Sequence, residues 1–175
     1  MSNAPEVLAG PRKRSRFVIR HAPLKPPEWN LTGVEAAYLA GLFDGEGSVT
    51  YRYRGTNVRR LNGEPVFHSL FQIRITNSHF PIIEWLWDTF GGVIIRQEKH
   101  PSNPVKSTRT SYQWDLTAGP FKFLHAIQPY LRIKKERVDF ILPYESLITK
   151  MGPRSVEERK QLHWIAQRSR DFNRQ

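Results

Sequence analysis

Apolar and polar positions change period several times along the chain, and each change marks an element. An apolar helix with small residues on one side runs through Leu39-Ala40-Gly41-Leu42-Phe43. It starts at Thr32, where Thr32-Gly33-Val34-Glu35 has the spacing of a capping box, and ends near Asp44. From Ser48 the period becomes two: Val49, Tyr51 and Tyr53 share one face, and Ser48, Thr50, Arg52 and Arg54 the other. The first face is a core face and the second is polar and basic. After turn residues at Gly55, Asn57, Asn62-Gly63 and Pro65, a second strand is expected from about Val66 to Thr76. Phe67, Ser69, Phe71, Ile73 and Ile75 would point inward, with His68, Gln72, Arg74 and Thr76 opposite. Pro81 and Gly91-Gly92 bracket a second helix with the stripe Ile82, Ile83, Leu86, Trp87 and Phe90. Strands at Val93 to Glu98 and Ser111 to Leu116 follow, joined by a polar loop with Pro101, Asn103 and Pro104. Arg96, Glu98, Gln113 and Asp115 are assigned to the polar face. Pro120 opens a third helix reaching Tyr130 or Leu131, and a fourth begins at Lys134. Ser155-Val156-Glu157-Glu158 caps a final basic helix. The order α-β-β-α-β-β-α-α-α predicts an α+β domain with an antiparallel sheet.

That pattern occupies residues 31–150, with a basic helix at 151–175 packed on or beside it. Residues 1–30 differ: Pro5, Pro11, Pro23, Pro26 and Pro27 fall among Arg12, Lys13, Arg14, Arg16 and Arg20, with no sustained helix or strand period. They read as an extended arm. Such an arm fits a solvated tail, a segment lying along phosphates, or a localisation address. A total of 175 residues suits one domain with a real core plus tails.

Charge narrows the choice of partner. Lys and Arg number 27 against 16 Asp and Glu, a net charge of +11. That favours a polyanion over a small neutral substrate, and nucleic acid over a membrane, since no apolar run approaches the ~20 residues a bilayer span needs. The absence of Cys removes disulfides and thiolate metal sites. No apolar core of a signal peptide is found near the start, so an intracellular rather than a secreted location is expected.

The chemistry concentrates at the end of the first helix. Gly41 and Gly45, four apart, leave a low ridge on which a second helix could rest, and Leu39, Leu42 and Asp44 are assigned to the same contact. Asp44 and Glu46 follow where the helix stops; Gly45 and Gly47 are expected to allow unusual backbone angles that project the carboxylates past the helix end. Carboxylates so placed suit a hard cation, although an acidic pair after an apolar helix, taken alone, more often merely solvates a turn.

The whole stretch Leu39 to Gly47 reads LAGLFDGEG. It resembles the LAGLIDADG motif of homing endonucleases, differing at Phe43, Gly45 and Glu46 with chemistry kept. Gln128-Pro129-Tyr130-Leu131-Arg132-Ile133-Lys134-Lys135 resembles a second stretch shared by chloroplast-intron enzymes of that group, and the likeness covers roughly residues 30–150. It implies an αββαββα fold with C-terminal helices, whose sheet makes a DNA-binding saddle over the major groove. One motif copy implies a homodimer. The implied activity is a double-strand break in a long pseudo-palindromic DNA target, serving intron homing, by phosphodiester hydrolysis with Mg²⁺, Mn²⁺ being able to substitute. Glu46 takes the catalytic acidic position and, with Gly45, the metal; Lys134 matches an active-site lysine. Asn77 is the candidate for ordering solvent near the metal, a helix cap being its other reading. Base or phosphate contacts are assigned to Ser48, Thr50, Arg52, Arg54, His68, Gln72, Arg74, Arg96, Glu98, Gln113 and Asp115. No small-molecule substrate is expected. An intron maturase and a non-catalytic DNA-binding protein are the alternatives.

Overall fold

Both capping boxes form as their spacing requires. In the computed structural model, which describes residues 15–23, 28–59, 63, 65–98 and 110–172, the Glu35 amide donates to the Thr32 hydroxyl at 3.3 Å and the Thr32 amide to the Glu35 carboxylate at 2.8 Å. These bonds open α1 (Gly33–Glu46). The Ser155 and Glu158 pair repeats the arrangement at α6 (Val156–Asp171).

Between them lie β2 (Gly47–Arg59), β3 (Pro65–Asn77), α2 (Phe80–Phe90), β4 (Val93–Glu98), β5 (Ser111–Leu116), α3 (Pro120–Ile127), α4 (Lys135–Ile141) and α5 (Glu145–Thr149). The third helix is shorter than expected, because the chain tightens to a 3₁₀ turn at Gln128–Tyr130. The fourth is split: a second 3₁₀ turn around Pro143 separates α4 from α5, as a residue without an amide hydrogen favours. Gly91 and Gly92, with φ of 73° and 89°, end α2 in a conformation open mainly to glycine.

The principal correction is a fifth strand. β1 (Ser15–Arg20) comes from the segment expected to be an unpaired arm and pairs antiparallel with β4. All neighbours in the sheet, β1-β4-β5-β3-β2, are antiparallel. Arg20 explains part of the docking, since it pairs with Glu84 and Asp88 of α2 and lies over the Trp87 ring. Residues 1–14 and 24–27 of the arm, including Arg12, Lys13, Arg14, Pro26 and Pro27, lie outside the described residues, as do Asn62 and the loop with Pro101, Asn103 and Pro104.

One face of the sheet is the core face. Val49, Tyr51, Tyr53, Phe71, Ile73, Ile75, Ile94, Trp114 and Leu116 pack there with Leu39, Ala40 and Phe43 of α1 and with buried residues of α2, α3 and α6. Phe123 touches Phe43, Phe90 and Trp114 at ring-centroid distances of 6.2, 5.4 and 5.7 Å. Full burial of such a side chain stabilises by about 1.5–3 kcal/mol, so α1 is anchored on one side and its end is held against the sheet. The opposite face is the polar one.

Candidate active site

The helix α1 passes into β2 without an intervening loop. Gly47 caps it at φ −84° and ψ 158°, ordinary extended backbone, and neither Gly45 nor Gly47 adopts a positive φ. The expected role for these glycines as relief of backbone strain is therefore corrected. Gly47 is required by space: a Cβ there would lie 2.6 Å from the Phe43 carbonyl oxygen and would overlap the Phe43 ring.

The last turn of α1 contains Asp44 and Glu46 and no basic residue, the reverse of what a helix C-terminus favours. Lys134 supplies the missing cation. Its Nζ donates to the carbonyl oxygens of Phe43 at 2.8 Å and Asp44 at 2.6 Å, which the helix end would leave short of donors. Asp44 closes the same junction from the other side. Its carboxylate accepts the amides of Arg132 at 2.7 Å, Ile133 at 3.1 Å and Lys134 at 2.8 Å. Asp44, expected at the helix terminus and its seam, ties α1 to the 132–134 turn of its own chain.

Two stretches that are 90 residues apart thus meet at one point. Burial opposes ionisation of Asp44, but the three amides and the Lys134 charge outweigh it and hold the carboxyl below its ordinary range. Burial, then the neighbouring Arg137, push the Lys134 ammonium down, while Asp44 and Glu46 counteract. Glu46 is therefore within electrostatic reach of Lys134. Its own carboxylate is exposed and makes no hydrogen bond or ion pair among the described residues. Asn77 ends β3, where its Oδ1 accepts the His79 amide at 2.8 Å and fixes the turn ahead of α2; it does not cap that helix, whose N-cap is His79 with no side-chain cap bond.

Around α1 the assigned contact residues separate. Leu39 is 0% exposed and belongs to the core, so its assignment to an interface is corrected. Leu42 is half-buried, and Gly41 and Gly45 are exposed, with nothing within 4 Å of an added Cβ. Val34, Tyr38 and Ile133 are exposed as well, Val34 at 81% and Ile133 at 78%. One side of α1 is core and the other is an uncovered apolar strip.

On the polar face the register sets Ser48 opposite Arg74, Thr50 opposite Gln72, Arg52 opposite Leu70 and Arg54 opposite His68. Arg52, Arg54 and His68 are exposed. Gln113 and Asp115 share the face but are only 1% and 6% exposed, which corrects their assignment as direct contacts. Asp115 accepts Arg74 Nε at 2.8 Å and Nη2 at 3.1 Å. Arg96 and Glu98 are corrected differently. Arg96 pairs with Tyr112 and Phe17, and Glu98 with Ser15, so the register puts both positions on the face of Ile94 and Trp114. Gln97 takes the polar side instead, donating to Gln113 at 2.5 Å, and Arg16 joins it from β1. Neither residue was anticipated; the alternation of β4 is ambiguous because Val93, Ile94 and Ile95 are all apolar.

Structural comparison relates this arrangement to known proteins. A lysine-to-alanine mutant of I-SmaMI superposes with a TM-score of 0.50 and 17% identity, over 81% of this chain and 46% of that one. I-SmaMI is described as a LAGLIDADG homing endonuclease. This chain has the LAGLIDADG homing endonuclease fold. It spans about half of the I-SmaMI chain. Two further similar structures are the archaeal intron-encoded homing endonuclease I-Vdi141I complexed with DNA and the homing endonuclease I-CvuI in complex with a DNA target in the presence of Mg. The first has 17% identity, covers 79% of this chain and 83% of that one, and has a TM-score of 0.49; the second has 12%, 78%, 94% and 0.46. No family model matches the chain, and no curated protein matches its sequence. Among the described residues no group of three His, Asp or Glu converges to hold a metal, and no helix is long and apolar enough to cross a membrane. At the end of the LAGLIDADG-like helix the oxygen donors not taken by Lys134 are, among the described residues, the Glu46 carboxylate and the Gly45 carbonyl beside it. These fit a hard cation that draws its other ligands from water and phosphate.

Proposed function

We propose that the protein is a site-specific homing endonuclease that makes double-strand breaks in a long pseudo-palindromic DNA target and acts as a homodimer. The observation that carries this reading is the junction at the end of α1. An exposed Glu46 carboxylate, with no hydrogen bond or ion pair among the described residues, lies within electrostatic reach of a partly buried Lys134 whose position is fixed by two helix carbonyls. A structural turn would have no need to leave one carboxylate free while clamping its neighbour Asp44 with three amides.

The uncovered strip of α1 supports the dimer. Gly41 and Gly45 present open backbone beside Val34 and Tyr38, so a second α1 can approach closely and bring its own Glu46 to the other strand. Arg52, Arg54 and His68, exposed farther along the polar face of the β2–β3 pair that leaves the junction, suit a duplex groove, and a net charge of +11 attracts the polyanion.

In this mechanism Glu46 and the Gly45 carbonyl would hold Mg²⁺, or Mn²⁺ in its place, and the ion would supply a Lewis acid for activating water and offsetting charge on the leaving oxygen. Lys134 places positive charge where the phosphate becomes more negative, and its third N–H is left over after the two helix carbonyls are satisfied. Sequencing the ends cut from a randomised or genomic duplex pool in Mg²⁺ tests the reading. One recurrent, roughly two-fold symmetric site supports it, and an absence of recurrent cutting overturns it.

A further inference from the structure

Gln113 and Asp115 lie on the open polar face of the sheet and are nevertheless buried, which costs free energy unless their polar atoms are paired. They are paired in a continuous series. Arg16 Nη2 and Gln97 Nε2 donate to Gln113 Oε1 at 2.6 and 2.5 Å, and Gln113 Nε2 donates to Asp115 Oδ2 at 2.7 Å. Asp115 takes both the Nε and Nη2 edges of Arg74, whose Nη2 also reaches Gln72 Oε1 at 3.4 Å. The series crosses β1, β4, β5 and β3, four adjacent strands.

Two consequences follow for Arg74. Its guanidinium is held in one orientation before any ligand arrives, so little rotamer freedom remains to be lost on binding. Asp115 also neutralises it, which removes most of its value as a phosphate contact while leaving donors for use elsewhere. The Nη1 group has no partner among the described residues, and the Arg74 side chain is 31% exposed. An arginine fixed along its Nε edge by a carboxylate directs its outer edge, Nη1 and the Nη2 hydrogen now lent to Gln72 over a long 3.4 Å, at a planar pair of acceptors once Gln72 gives way, the pattern that guanine N7 and O6 offer in the major groove.

We infer that Arg74 is a preset guanine reader, that Gln113 and Asp115 are the positioning residues that hold it, and that Arg16 couples the β1 edge strand to the same base pair. The inference rests on the reading of this face as DNA-binding. It goes beyond that reading by separating Arg74, whose role is discrimination, from Arg52 and Arg54, which have no carboxylate partner among the described residues.

The test compares the full-length protein with Asp115→Asn, Arg74→Ala, Arg74→Lys and the double variant Asp115→Asn/Arg74→Ala. Binding-site selection from a randomised duplex pool and the salt dependence of binding are measured for each. Asp115→Asn should lower guanine preference at one base pair per half-site about tenfold, and the double variant should lose no more than Arg74→Ala alone. Arg74→Lys sits on a partly exposed position and keeps the fold even if Asp115→Asn does not. It should lose the same preference because an ammonium cannot offer the planar fork. In the free protein, the Arg74 Nε–H resonance should exchange slowly with water and become fast in Asp115→Asn. If the wild-type protein binds no duplex, the functional reading falls and the inference with it. If it binds specifically but Asp115→Asn and Arg74→Lys retain full guanine preference, or the two losses add, the inference alone is overturned.

Discussion

Replacing Asp44 by Asn tests whether the end of α1 is held by charge or only by shape. The carboxylate accepts three backbone amides at 2.7, 2.8 and 3.1 Å, and Asn would keep the volume but only one acceptor oxygen. A hydrogen bond to a charged group stabilises by roughly 1.5–3 kcal/mol when sequestered. Asp44 is half-exposed, so solvent screening reduces each contribution by about half, and the remaining oxygen still serves one or two donors. The expected loss is about 1.5–3 kcal/mol, which for a chain of this size lowers Tm by roughly 3–10 °C. The pH dependence has a definite sign. The folded-state carboxyl ionises more readily than the unfolded one, so the contribution is complete above the ordinary aspartate range and is lost as pH falls through the folded value. The gap between wild type and Asp44→Asn should thus be full at pH 7 and close below about pH 4. Thermal melts across pH, with hydrogen exchange at the Arg132, Ile133 and Lys134 amides, provide the assay. Unchanged melting at pH 7 with unchanged exchange at those amides would refute the clamp.

The other expected outcomes concern binding and assembly. Arg52→Ala should relax discrimination at one base pair in each half-site by about 1–3 kcal/mol if the contact is bidentate to guanine, read by site selection; a uniform loss over all sequences would make it a phosphate contact. Gly45→Leu should fail to dimerise and lose binding and cleavage together, because a bulky side chain on the open strip separates two helices at a cost of roughly 1–3 kcal/mol or more. Sedimentation of that variant beside the wild type decides it, and a dimeric, active Gly45→Leu would remove α1 from the interface. Lys134→Met should depress cleavage far more than DNA affinity, measured by nicking and gel shift, because the ammonium that serves the helix carbonyls is the one proposed to serve the phosphate.

Local signals were legible where a few neighbouring residues decide the outcome. The alternation from Ser48 to Arg54 placed Tyr51 and Tyr53 in the core and Arg52 and Arg54 outside, and the Thr32 and Ser155 boxes located two helix starts. Signals that depend on distant partners were not legible. Phe17-Val18-Ile19 has no alternation, and it forms a strand because the free edge of β4 accepts it. The phase of β4 is decided by burial of Ile94 under Trp114, which sends Arg96 to the side opposite Gln113. Gln113 and Asp115 look like surface residues in sequence, and are covered only because Arg16, Gln97 and Arg74 fold over them. Asp44 could not be separated from Glu46 by spacing either. The difference arises from the 132–134 amides, which reach one carboxylate and leave the other free.

The central claim is that the free carboxylate at the end of α1 performs the cleavage chemistry. Once a target site has been selected, Glu46→Gln and the wild-type protein can be compared on that duplex in Mg²⁺, with nicking and double-strand cleavage followed beside a gel-shift titration. The substitution removes a metal-ligating charge and almost no volume, so the account predicts binding within a few-fold of wild type and no strand cleavage. Cleavage by Glu46→Gln at near wild-type rate would contradict it.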